Sequence, residues 1–130
     1  MDAARALVIE DDPDIADLIA RYVRLVGCSV QIAHSGWEAL KFADEFRPQI
    51  ILLDIGLPDV DGWELARELR HRLAAVGPVL IAVSGQPKDH ARLAELDIEH
   101  YLEKPAFRKD LMELLMKLVG QFDGQGLSQD

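Results

Sequence analysis

Three short, almost unbroken apolar runs, Ala6-Leu7-Val8-Ile9, Ile50-Ile51-Leu52-Leu53 and Val79-Leu80-Ile81-Ala82-Val83, constrain the fold more than any other feature of the chain. Each is too short for a free-standing helix, and each is bounded by acids, Pro or Gly, so each reads as a strand buried on both faces. Strands of that kind belong to parallel sheets covered above and below by helices. Two weaker segments, Cys28 to Ala33 and His100-Tyr101-Leu102, suit the edges of the same sheet.

Helical patterns fill the intervals. Ile15, Leu18, Ile19, Tyr22, Val23 and Val26 recur three and four apart and form one core-facing stripe, with Asp12 and Pro13 starting the helix and Gly27 ending it. Further helices are expected over Gly36–Phe46, Gly62–Arg72, Pro87–Leu96 and Phe107–Val119, the last with Leu111, Leu114, Leu115 and Leu118 on one side. Strict alternation of strand and helix with right-handed crossovers gives a doubly wound α/β fold of five parallel strands, and placing the three apolar runs centrally with the two weaker strands at the edges gives the order 2-1-3-4-5, flavodoxin-like. Residues 1–119 form one domain. Residues 120–130 lose apolar periodicity, gain Gly and Gln, and read as a flexible tail or linker.

Composition narrows the function. The chain has 130 residues, 49% of them apolar and 28% charged, which is ordinary globular usage. Its net charge of -9 lacks the cationic field that holds phosphate backbones, so direct nucleic-acid binding is not expected. No apolar run approaches the ~20 residues that cross a bilayer, and the start shows no secretory pattern, so a soluble, cytoplasmic chain is expected. The lone Cys28 reads as a buried apolar residue, and His34, His71, His90 and His100 lack the spacings of a zinc site.

In a doubly wound sheet the ligand crevice lies beyond the carboxyl ends of the strands. Strand one runs into Glu10-Asp11-Asp12, strand three into Asp54, strand four into Ser84-Gly85 and strand five into Glu103-Lys104-Pro105. Carboxylates about 4 Å apart repel by about 4 kcal/mol at an effective dielectric near 20. A lysine offsets part of that, and a divalent ion offsets more. An all-oxygen donor set selects magnesium or manganese over zinc. Such an ion recruits phosphate oxygens, and a central carboxylate such as Asp54 can accept a phosphoryl group while Ser84 and Lys104 hold its oxygens.

These residues closely resemble the receiver domain of two-component response regulators from Arg5 to Val119. The likeness rests on Glu10-Asp11, Asp54 within Asp54-Ile55-Gly56-Leu57-Pro58-Asp59-Val60-Asp61-Gly62, Ser84, and Lys104-Pro105. It implies that Asp54 is the phosphoacceptor, and that Asp11, Asp54 and the Gly56 carbonyl coordinate magnesium, with Glu10 acting through water. Lys104 would pair with the phosphoryl group, Ser84 and Tyr101 would act as the switch, and Gly56 and Gln86 would tune phosphoryl lifetime. The implied partners are a sensor histidine kinase or histidine phosphotransfer protein and a downstream protein, with the chain a monomer or weak dimer. Glu10, Leu57, Gly85 and Ala106 depart from the commonest pattern, but none removes a reactive group.

Several residues carry a structural reading beside the functional one. Asp12 reads as a helix cap, Asp61-Gly62 as a turn and helix start, and Trp37 and Trp63 as packing residues. Asp14 and Ile15, at the head of the first helix, are placed to help dock a phosphodonor. Three alternatives stand beside the stand-alone receiver. The first is a receiver module cut from a hybrid kinase or larger regulator, about which the tail is silent. The second, an aspartate-nucleophile phosphatase, needs a second Asp where Gly56 stands. The third, a flavin module, needs a phosphate-cradling loop where Glu10-Asp11-Asp12 stand.

Overall fold

The computed structural model describes residues 3–86, 88–104 and 108–127, with the side chains of Arg108 and 121–127 left aside. The strands are β1 (Arg5–Ile9), β2 (Ser29–Ala33), β3 (Ile50–Asp54), β4 (Val79–Ser84) and β5 (His100–Glu103). The helices are α1 (Pro13–Leu25), α2 (Gly36–Phe46), α3 (Gly62–Arg72), α4 (His90–Glu95) and α5 (Arg108–Leu127). The sheet is wholly parallel, as the alternation of strand and helix calls for, and its order is β2-β1-β3-β4-β5, with the two weaker strands at the edges.

Two cores lie on opposite faces of that sheet. One packs Leu7, Ile9, Ile51, Leu53, Leu80 and Ala82 under α2, α3 and α4. The other packs Val8, Ile50, Leu52, Ile81 and Val83 under α1 and α5, whose Leu111, Leu115 and Leu118 are buried. Period-two alternation sends neighbouring residues of each apolar run to different faces, which is why the central runs contain no polar residue before the rim.

Helix ends follow local chemistry. The Asp12 carboxylate accepts from the amides of Asp14 and Ile15, and Pro13 opens α1. Asp61 accepts from Trp63 and Glu64 at the head of α3. Gly62 is required there, because an added Cβ would lie 2.3 Å from the Ile55 carbonyl oxygen. The Arg70 side chain stitches α3 to the carbonyls of Pro78, Leu96 and Asp97, and Asp97 itself takes a left-handed φ of 54°.

The structure departs from the sequence pattern at four places. Leu18, expected on the core stripe of α1, is exposed, because Ala16, Ile19, Ala20 and Val23 form the inner face. Trp37, expected to pack, is 71% exposed, whereas Trp63 lies partly buried against the core with Arg92 over its ring at 5.4 Å. α4 is shorter than expected, since Asp89 caps it and its backbone turns at Leu96; Pro87, the expected start, lies outside the described residues. The backbone of α5 stays helical to Leu127 rather than stopping at Val119, since glycine in a helix interior costs only about 1 kcal/mol and does not break it. Its expected first residue, Phe107, is outside the described residues, as are Pro105 and Ala106.

Candidate functional site

The carboxyl ends of β1, β3 and β5 deliver Glu10, Asp11, Asp54 and Lys104 to one point on the rim. Glu10, Asp11 and Asp54 can each present a carboxylate oxygen within 4.8 Å of the others. Glu10 is 2% and Asp54 6% exposed, while Asp11 faces solvent. The Lys104 ammonium sits 2.6 Å from Glu10 Oε1 and 3.2 Å from Asp54 Oδ2. The remaining oxygens are also held. Glu10 Oε2 accepts from the Asp12 amide at 3.1 Å, and Asp54 Oδ1 accepts from the Gly56 amide at 2.9 Å.

Electrostatics follow from that packing. Burial pushes the Glu10 carboxyl above its usual range, against the opposing pull of Lys104 and the Asp12 amide; the Asp54 charge adds to the rise. For Lys104 burial alone would lower the pKa, but the Glu10 and Asp54 carboxylates outweigh it and the ammonium is held above its ordinary value. One ammonium therefore faces three carboxylates, and the deficit of positive charge makes this an attractive place for a hard cation.

The other residues singled out from the sequence surround this cluster. Ser84, buried at the end of β4, accepts through Oγ from the Gln86 amide at 3.0 Å, and its carbonyl accepts from the Lys104 amide. Tyr101 is half-buried on β5, and its hydroxyl donates to the Gln86 carbonyl. Gly56 is exposed beside the Asp54 carboxylate, and a Cβ there would lie in ordinary contact with Oδ1, at 3.5 Å. At the head of α1, Asp14 is exposed and Ile15 half-buried.

Sequence reading missed a set of contacts behind the cluster. His34 Nδ1 lies 3.1 Å from the Glu10 carbonyl oxygen, and both Asp59 carboxylate oxygens accept from the Gly36 amide at 3.1 Å. The readable signal was Ser35-x-x-Glu38, the sequence pattern of a capping box: Ser35 Oγ accepts from the Glu38 amide, while the Glu38 carboxylate reaches one residue past the cap to accept from the His34 amide.

A doubly wound parallel sheet with acids and a lysine converging at its carboxyl rim is an α/β module whose site lies at the strand ends. The chain belongs to the response regulator receiver domain family, whose model matches residues 6–116. It is 31% identical over 92% of its length to the DNA-binding dual master transcriptional regulator RpaA of Synechocystis, covering 50% of that protein. It is 32% identical over 90% of its length to the response regulator MprA of Mycobacterium bovis, covering 51% of it. The chain thus spans about half the length of these curated relatives. Among solved structures, the CheY-like receiver domain protein of Methanospirillum hungatei superposes with a TM-score of 0.82 at 25% identity, covering 95% of this chain and 98% of that one. A signal receiver domain from Bermanella marisrubri is 32% identical with a TM-score of 0.74, covering 90% and 98%. Among the described residues no helix is long and apolar enough to cross a membrane.

Proposed function

We propose that Asp54 accepts a phosphoryl group from a phosphohistidine on a sensor histidine kinase or histidine phosphotransfer protein, in a magnesium-dependent reaction. The observation that carries this is the meeting of Glu10, Asp11 and Asp54 with Lys104 at one half-open rim. An Asp54 carboxylate oxygen attacks phosphorus, an acyl phosphate O–P bond forms, the N–P bond of the donor breaks, and the donor imidazole leaves with the electron pair. Lys104, already 3.2 Å from Oδ2, stays paired with the growing negative charge. Ser84, within the same rim, turns its hydroxyl to the new phosphoryl oxygens. Water later attacks phosphorus and the acyl phosphate is hydrolysed to the Asp54 carboxylate and inorganic phosphate, and Gly56 and Gln86 stand where side chains would tune that rate.

The donor set fits magnesium, with manganese the alternative: it is all oxygen, it is short of positive charge, and among the described residues no His or Cys joins it. Asp11, Asp54 and the Gly56 carbonyl would hold the ion, with Glu10 acting through water. When bound, magnesium neutralises charge on the transferring phosphoryl group.

The structural output is a change of partner. Movement of Ser84 releases the Gln86 segment to which Tyr101 is bonded, and the surface of α4, β5 and α5 then presents a different face to a downstream protein. Asp14 and Ile15 help dock the donor. The domain works in the cytoplasm as a phosphoacceptor without turnover of small substrates, as a monomer or weak dimer. It is a stand-alone receiver or a module of a longer regulator or hybrid kinase. The test is incubation with magnesium and a small acyl phosphate. Wild type should retain acid-stable, base-labile phosphate and Asp54→Asn should not; equal labelling of both defeats the proposal.

A further inference from the structure

The turn between β2 and α2 contributes no carboxylate to the rim, yet it touches both segments that do. On one side, the Glu10 amide donates to the Ala33 carbonyl at 3.0 Å, and His34 Nδ1 lies 3.1 Å from the Glu10 carbonyl. A carbonyl only accepts, so Nδ1 carries the proton. On the other side, the Gly36 amide donates to both oxygens of Asp59, in the loop that follows Asp54. Val60 lies directly on Gly36: a Cβ at position 36 would fall 2.4 Å from a Val60 methyl, so only glycine admits the contact. The turn itself is held at both ends, because Ser35 Oγ accepts from the Glu38 amide and the Glu38 carboxylate accepts from the His34 amide. The loop is tight too, since Gly62 packs on the Ile55 backbone and the Gly56 amide is bonded to Asp54.

We propose that His34–Gly36 is a brace that fixes the acid pair after β1 relative to the loop after Asp54, with His34 and Asp59 as positioning residues for the divalent-cation site. This rests on the reading of that site as a magnesium site. A cation held by ligands from two loops binds best when those loops are already at the right separation, and removing an outer-shell hydrogen bond typically costs about tenfold or more in affinity. His34 and Asp59 are exposed, so truncating either side chain opens no cavity in the core, while the groups their hydrogen bonds hold belong to the segments that carry the acids.

The experiment is magnesium titration of the whole chain by calorimetry, with thermal unfolding and amide exchange in the metal-free protein measured in parallel. His34→Ala and Asp59→Ala should each weaken magnesium binding about tenfold while leaving the unfolding midpoint nearly unchanged, and should speed exchange at Gly36 or Gly56. His34→Asn places an amide nitrogen near the position of Nδ1 and should restore most of the affinity. The double variant should lose less than the product of the two single losses, because both contacts act through one turn. Wild type that binds magnesium with unchanged affinity in both Ala variants overturns the brace alone. Loss of stability without loss of affinity also overturns it, by reducing the contacts to a structural role. Wild type that binds no magnesium overturns the underlying site reading, and the brace as a positioning device falls with it.

Discussion

Replacing Lys104 with methionine removes one charge and keeps most of the apolar stem. In the native domain that charge lies 2.6 Å from Glu10 Oε1 and 3.2 Å from Asp54 Oδ2, and the two carboxylates are almost fully enclosed. Breaking a buried pair by deleting one partner costs about 3–5 kcal/mol, since the other charge is left uncompensated. The Lys104 side chain is 20% exposed, so water screens part of the attraction and the lower end, about 3 kcal/mol near neutral pH, is expected. For a domain of this size that lowers the unfolding midpoint by about 10 °C. The pH dependence gives a sharper check. The Glu10 carboxyl is already raised by burial, and losing the Lys104 contact removes a lowering influence, so it rises further. A raised native pKa means the native state holds the proton more tightly, so its contribution is present below the ordinary glutamate pKa and is lost as pH rises through the native value. Lys104→Met should therefore be close to wild type in mild acid and fall away toward neutrality, and added magnesium should recover part of the loss. Urea unfolding from acid to neutral pH measures this. A cost that is small, or that does not change with pH, would refute the assigned charge balance.

Gly62→Ala forces a Cβ to within 2.3 Å of the Ile55 carbonyl oxygen, and the loop behind Asp54 must shift; a loss of about 3 kcal/mol by urea unfolding is expected, together with weaker magnesium binding. Arg70→Met leaves the Pro78, Leu96 and Asp97 carbonyls without their shared donor, and should cost about 2 kcal/mol in the same assay with magnesium affinity unchanged. Magnesium affinity should rise with pH through and above the ordinary carboxylate range, because the buried Glu10 keeps its proton over part of it and a protonated carboxyl is a poor partner for a cation; Glu10→Gln should flatten that rise.

Much of the fold was legible because its signals are local. A buried parallel strand must be apolar on both faces, so Ile50–Leu53 announces itself, and the helix caps at Asp12 and Asp61 are written in adjacent residues. The strand order followed from the contrast between three fully apolar central runs and two weaker edge strands, and the convergence of Glu10, Asp11, Asp54 and Lys104 followed from the rule that sites lie at strand carboxyl ends. Less legible was whatever depends on which neighbours reach a given face. Leu18 and Trp37 carry apolar side chains that the described residues leave exposed, and period alone cannot tell an inner stripe from its flank. The His34 and Asp59 contacts join residues far apart in sequence through backbone atoms, which no side-chain pattern records.

The most direct measurement is chemical mapping of the modified side chain. After incubation with an acyl phosphate and magnesium, borohydride reduction converts an aspartyl phosphate to homoserine, which peptide sequencing locates. Homoserine at position 54, formed only with the divalent ion present, is the expected result. Homoserine at another acidic residue, or formation at position 54 that is indifferent to chelation, would contradict the assignment of Asp54 as the phosphoacceptor of a cation-assisted site.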